Sequence, residues 1–208
     1  MKNIKRTLIT VLAMLLVCVL SVTATLAYIT TKSDTVKNTF TIGNVAITLD
    51  EAKVGPDGKA IPTEDRVREN KYKLVAGKTY DKDPTVHIDA GSENAWVVVK
   101  VEIDESVAAV IDVNNITSQI VPAQNAKWVS VGTGSATVKY YAYKTVSKAG
   151  DNLVVFETIT TKSTATSTDF TKITDEDAIE ITAYAVQADG ITNYTEAWNA
   201  IASAYSLS

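Results

Sequence analysis

The chain has 208 residues and is acidic, with 24 Asp and Glu against 20 Lys and Arg and a formal net charge of −4. The first 27 residues hold three basic and no acidic side chains, so the remainder carries a net charge of −7. An acidic chain without a Lys/Arg cluster is a poor nucleic-acid ligand, which excludes that class of partner.

The first 27 residues have the pattern of a secretory signal peptide. A basic start at 2–6 precedes an apolar run at 8–20, and Thr25 and Ala27 occupy the small-residue positions of a cleavage site. We predict cleavage between Ala27 and Tyr28. The alternative is an uncleaved membrane anchor, because the apolar stretch is long enough to span a bilayer.

Residues 28–42 form a predicted N-terminal arm that is extended and rich in strand-forming side chains. Gly43 follows, and the apolar parity of the chain changes there, which indicates a bulge or bend. The arm either packs on its own domain or pairs with a sheet edge of another subunit. The candidate donor-strand residues are Tyr28, Ile29, Thr30, Thr31, Val36 and Phe40.

Residues 43–208 are predicted to form an all-β domain, an antiparallel β-sandwich with short peripheral helices. The apolar residues of 95–103 alternate, so Val97, Val99, Val101 and Ile103 should face the core. We predict a short helix within 104–120 and a final helix capped by Asn193. Polar loops are expected at 53–70 and 161–169. The other predicted strands are 73–80, 83–90, 127–131, 136–146, 153–160 and 178–188.

The residue types required for common catalytic sites are scarce. His87 is the one histidine, so no Ser-His-Asp triad can form without it and a two-His metal site is excluded. Cys18 is the one cysteine and lies within the predicted signal, which excludes a thiolate metal site in the remainder of the chain. We expect His87 to be a surface or edge residue. Acidic clusters at 81–89 and 175–177 have no EF-hand spacing, and we interpret them as solvated turn charges.

Four ordered motifs give the chain a resemblance to a known family. They are Leu-Ala-Tyr-Ile-Thr at 26–30, Asn-Thr-Phe-Thr-Ile-Gly-Asn-Val at 38–45, Leu-Val-Ala-Gly-Lys-Thr-Tyr-Asp-Lys-Asp-Pro at 74–84, and Ile-Thr-Ala-Tyr-Ala-Val-Gln-Ala at 181–188. With these motifs the chain resembles the TasA/camelysin family of exported Gram-positive proteins. The stretch 104–175 carries no part of the resemblance.

The resemblance implies a jelly-roll-like β-sandwich that a SipW-type signal peptidase releases to the cell surface or biofilm matrix. It also implies self-association into fibres by donor-strand exchange, with other matrix or cell-wall components as further partners. We therefore expect a secreted structural fibre subunit that is not an enzyme and needs no cofactor.

Two other functions remain open from the sequence. Camelysin-like relatives suggest a cell-surface metallopeptidase or an accessory surface protein, although one histidine makes a poor zinc site. A monomeric carbohydrate-binding sandwich would need exposed aromatic side chains, for which Tyr140 and Tyr143 are the candidates.

Overall fold

The computed structural model describes residues 44–174 and 176–208, which all lie in one compact unit, Ile42–Ser208. These residues form an all-β fold of antiparallel sheets with short helices. The strands are β1 (Ile47–Asp50), β2 (Thr79–Asp81), β3 (Thr85–Ile88), β4 (Ala95–Ile103), β5 (Trp128–Val131), β6 (Val138–Tyr143), β7 (Asn152–Val154), β8 (Thr158–Thr160) and β9 (Ile179–Gln187). The helices are α1 (Glu105–Val110), α2 (Val113–Ile120), α3 (Ser167–Phe170) and α4 (Tyr194–Tyr205).

The strands form three antiparallel sheets. The largest has the order β5-β6-β4-β9, the second β1-β3-β7, and the third pairs β2 with β8. β9 and β1 are therefore edge strands of the two larger sheets within the described residues. No helix in 44–174 or 176–208 is long and apolar enough to cross a membrane.

The main core lies between the two larger sheets. Val86 and Ile88 of β3 pack there with Val97 and Val99 of β4, and all four side chains are almost completely buried. Each such side chain contributes roughly 1.5–3 kcal/mol when it leaves water. The Trp128 indole N–H joins the sheets by donating to the Val154 carbonyl at 2.9 Å.

The central strand β4 is buried on both faces, because helix α4 covers the face that turns away from the main core. The predicted inward residues are buried, but so is Val98 on the opposite face, where it meets Trp198 and Ile201. The predicted cap of α4 is confirmed, since the Asn193 side chain accepts hydrogen bonds from the Thr195 and Glu196 amides at 3.0 Å.

Three predicted elements differ from the structure. The strand predicted at 153–160 is two strands, β7 and β8, in different sheets, because Val155 and Phe156 are both buried and break the alternation. The strand at 73–80 is reduced to β2, since Gly77 turns the chain with φ +71°. The segment 104–120 forms two helices, because Asp112 starts a new one by capping Asn115.

Gly132 allows a test of the packing between α4 and the large sheet. A Cβ at Gly132 would lie 2.5 Å from Trp198, and the residue has φ +64°; Gly150 has φ +88° but no atom within 4 Å of its Cβ position. Alanine in a left-handed conformation costs about 1–2 kcal/mol at either position. We expect Gly132→Ala to lose about 1–3 kcal/mol more from overpacking.

Urea unfolding followed by tryptophan fluorescence measures this difference, with Gly150→Ala as the matched control. Equal losses of unfolding free energy in the two variants would show that Trp198 does not pack tightly on residue 132.

Candidate strand-accepting groove

Strand β9 presents one edge without a partner strand in the described part of the chain. Its pairing with β4 is set by bonds such as Ala188 N–H to the Asn94 carbonyl at 2.8 Å, so its even-numbered residues face β4. Successive residues of an antiparallel strand direct their backbone groups to opposite sides. The N–H and C=O groups that point to the free edge therefore belong to Ile179, Ile181, Ala183, Ala185 and Gln187.

Strand β1 presents a second, shorter edge. The bond from the Asp89 N–H to the Ala46 carbonyl aligns β1 with β3, which leaves the backbone groups of Ile47 and Leu49 on the other side. Glu51, the next residue with this orientation, exchanges two backbone hydrogen bonds of 2.8 Å with Val67. The loop 51–70 therefore closes the β1 edge at Glu51.

A groove of about 850 Å³ lies beside these two edges and is lined by residues of both. Its charged residues are Asp50, Glu51, Lys82 and members of 68–71 and 176–180, while apolar side chains from the core also reach its surface. The larger aliphatic and phenyl side chains in the lining are Leu49, Leu74, Val107, Ile111, Ile159, Phe170, Ile173, Ile179 and Ile181. We name this feature the β1/β9 groove.

Burial falls from β4 to β9 within the same sheet. Val97 and Val99 of β4 are 1% and 0% exposed. Their cross-strand neighbours Ala185 and Ala183 pack on the same core but are only partly buried, as is Ile181. The core-facing side of the sheet is thus fully covered by other side chains at β4 but only partly covered at β9, next to the groove.

Arg66 fixes the loop 51–70 to the outer side of β1 and β3. Its guanidinium donates to the Asp50 carboxylate, to Asp83 Oδ2 at 2.9 Å and to Thr85 Oγ1 at 3.0 Å. Partial burial opposes ionisation of Asp50, but hydrogen bonds from Arg66 and His87 outweigh it and lower the pKa of Asp50. Ionised Asp50 therefore stabilises the end of β1.

The expectation that His87 is a surface or edge residue is wrong, because it lies partly buried on β3, the central strand of its sheet. Its side chain retains 26% exposure and bridges three strands, with Nε2 2.8 Å from Asp50 Oδ1 on β1 and Nδ1 against Asn152 Oδ1 on β7. A histidine flanked on both sides by polar partners from neighbouring strands supports sheet pairing.

The clustered acids predicted at 81–89 do not share a ligand position. Asp81 accepts from Lys59 Nζ at 2.9 Å, Asp83 from the Ala52 N–H at 2.6 Å, and Asp89 from Thr48 Oγ1 at 2.9 Å. Within 44–174 and 176–208, no group of three His, Cys, Asp or Glu side chains could hold a metal ion. Of the second cluster, Asp177 accepts from the Thr174 N–H at 2.7 Å.

The aromatic pair considered for glycan binding is engaged in packing. Tyr140 is 7% exposed and lies against Trp198 with ring centroids 5.0 Å apart. Tyr143 is half-buried and meets Trp128 edge to face at 5.0 Å. The expectation of two exposed aromatic side chains at these positions is wrong, because α4 and β5 cover them.

The residues predicted for cleavage and strand donation, Ala27, Tyr28, Ile29, Thr30, Thr31, Val36 and Phe40, lie outside the described residues. The sequence analysis did not identify the groove, because the alternation of β9 carries no signal that a neighbour is absent among the described strands. Comparisons with family models, curated proteins and solved structures found no match to the chain.

The lowered pKa of Asp50 predicts an acid-dependent loss of stability. Its contribution is fully present above the usual carboxyl value of 3.8 and disappears as the pH falls through the lower value of the folded state. We expect Asp50→Asn to reduce the urea midpoint at neutral pH and to differ less from the parent protein below pH 3.8.

The control for this measurement is Glu64→Gln, which removes an ion pair with Lys53 whose side chains are both about half exposed. Such a pair contributes about 0–1 kcal/mol. A difference between Asp50→Asn and the parent that stays constant across this pH range would contradict the role assigned to Asp50.

Proposed function

We propose that this protein is a secreted structural subunit of extracellular fibres, in which the arm 28–42 of one copy adds a strand to β9 of the next. The domain in this proposal is a jelly-roll-like β-sandwich exposed at the cell surface or in the matrix. Its partners are other copies of itself, and it has no catalytic activity. The observation that carries the proposal is the edge of β9, which has no partner strand among the described residues and lies beside the β1/β9 groove.

The dimensions of the edge suit the arm. β9 has nine residues and therefore extends about 30 Å at the usual rise of a β-strand. The fifteen positions of 28–42 are enough for a strand of this length and a short connection. An added strand would satisfy the backbone groups at the free edge, which is how exposed sheet edges recruit extended peptides.

The side chains also complement each other in size. Ala183 and Ala185 occupy the inward positions of β9, and they leave more room beside that strand than larger residues would. Val36, Phe40 and Ile42 share one face of an extended arm. Bulky residues of the donor would thus lie next to small residues of the acceptor.

The chain enters the described domain at Asn44, just before β1, which borders the same groove. The arm has few apolar residues before Val36 and lacks a core of its own. The resemblance to fibre-forming TasA-like proteins favours pairing of the arm with a neighbouring copy over pairing with its own domain.

Removal of residues 28–37, the first ten positions of the arm, should separate folding from assembly. A chain that starts at Asn38 should fold as a soluble monomer and form no fibres, whereas one that starts at Tyr28 should polymerise with time and concentration. Electron microscopy and sedimentation measure assembly, and circular dichroism checks the fold. Equal polymerisation of both chains, or none from either, would contradict donor-strand assembly.

A substitution on β9 tests the acceptor side. Ala183→Lys places a long charged side chain on the inward, partly buried face of β9, so a chain starting at Tyr28 with this change should remain monomeric. Ala149→Lys, in an exposed loop, is the matched control and should polymerise normally. Fibre formation by the folded Ala183→Lys chain would exclude β9 as the acceptor.

A further inference from the structure

Three side chains form a polar site at the end of β1. The Glu51 carboxylate accepts from Lys82 Nζ at 2.6 Å through Oε2 and from Asn70 Nδ2 at 2.9 Å through Oε1. The side chains of Glu51 and Lys82 are only 6% and 10% exposed. An amine and a carboxamide are thus held next to each other by the two oxygens of one buried carboxylate.

The carboxamide of Asn70 is fixed by further hydrogen bonds. Its Oδ1 accepts from the Val54 N–H at 2.9 Å, and its Nδ2 also donates to the Ala52 carbonyl at 2.9 Å. A backbone N–H on Oδ1 is placed where negative charge would develop if a nucleophile added to the amide carbon, as in an oxyanion hole.

The site is bordered by an aromatic ring and by the groove. Lys82 Nζ lies 5.8 Å from the centroid of Tyr72, whose hydroxyl donates to the Asp81 carbonyl at 3.0 Å. Burial raises the pKa of Tyr72, and the charge of Glu51 adds to the rise, so this phenol remains neutral. Glu51, Asn70 and Lys82 also line the β1/β9 groove, so a small product released at this site can diffuse into solvent through the groove.

The attraction between Glu51 and Lys82 does not by itself explain why both charged side chains are buried. Taking both ions out of water costs several kcal/mol per ion in an ordinary protein interior, and the attraction between them repays this only in part. Transfer of a proton from Lys82 to Glu51 would replace the two charges by a neutral amine and a neutral acid. The amine is then a nucleophile beside an oriented amide.

We propose that Lys82 and Asn70 become joined by an intramolecular isopeptide bond, with Glu51 as the group that moves the protons. The site uses only groups of this chain and needs no cofactor or oxidant. The inference is independent of the proposed fibre function.

The reaction balances as an amide exchange. Glu51 takes a proton from the Lys82 ammonium group, and the freed Nζ electron pair attacks Cγ of Asn70 while the carbonyl pair moves to Oδ1. A second proton passes from Nζ through Glu51 to Nδ2. The C–Nδ2 bond then breaks, ammonia leaves and takes the first proton from Glu51, and Lys82 Nζ remains bonded to Asn70 Cγ.

The bond would join the loop 51–70 covalently to the residue that follows β2. A cross-link stabilises a fold mainly because it restricts the unfolded chain. Since Glu51 also ends the free edge of β1, the bond would hold the closed end of the groove in place.

A tryptic map of the purified, folded full-length chain tests the proposal, because trypsin does not cut after an acylated lysine. Cleavage after Arg68 and Lys71 releases a short peptide with Asn70, and cleavage after Lys78 releases one with an uncut Lys82. We expect the two as one branched species, lighter than their sum by one ammonia. Separate peptides, with cleavage after Lys82, would overturn the proposal.

The variants identify the bonding groups and the role of Glu51. Lys82→Arg should abolish the branched species, Glu51→Gln should abolish or greatly slow its formation, and Glu64→Gln, at an exposed ion pair, should leave it unchanged. Loss of ammonia that persists in Lys82→Arg would show cyclisation of Asn70 alone and overturn the bond. A branched species that forms normally in Glu51→Gln would overturn the proton-transfer role. Circular dichroism distinguishes an unfolded variant, and the map of the parent chain decides the bond in any case.

Discussion

The edge of β9, which has no partner strand among the described residues, is the feature on which the account of this protein depends. One face of the strand packs on the main core and the other meets α4, yet its odd-numbered backbone groups have no partner strand in the described part of the chain. Such an edge can template the addition of another strand. This nine-residue edge lies beside the β1/β9 groove, and we propose that the arm 28–42, which is long enough, supplies the added strand.

The opposite side of the groove is held by polar interactions that all involve the loop 51–70. Val67 pairs with Glu51 and stops the β1 edge, Arg66 ties the loop to Asp50 and Asp83, and Asn70 brings it to Lys82 through Glu51. The β9 side of the groove thus offers backbone groups without a partner strand in the described residues, and the end of the β1 side is fixed by the loop 51–70. An inserted strand would meet a preformed site, which lowers the conformational cost of binding.

Much of the fold follows from local patterns, whereas the groove does not. The alternation at 95–103 and 178–188 locates β4 and β9 within one residue, and Asn193 marks the start of α4. The break between β7 and β8 was not predictable, because Val155 and Phe156 are buried by contacts distant in sequence. For the same reason the pattern of β9 cannot reveal a missing neighbour, and the approach of Lys82 to Asn70 depends on tertiary structure.

Disulfide trapping between two copies tests the central claim most directly. Cys18 lies in the predicted signal peptide, so a chain starting at Tyr28 has no native cysteine and each introduced thiol is unique. One chain carries Phe40→Cys in the arm and the other Ala183→Cys in β9. The account predicts an oxidised heterodimer from the mixture that is lost when the Phe40→Cys chain starts at Asn38 instead of Tyr28. No cross-link above that of an Ala149→Cys control on the exposed loop, under conditions where the parent chain forms fibres, would contradict strand addition at β9.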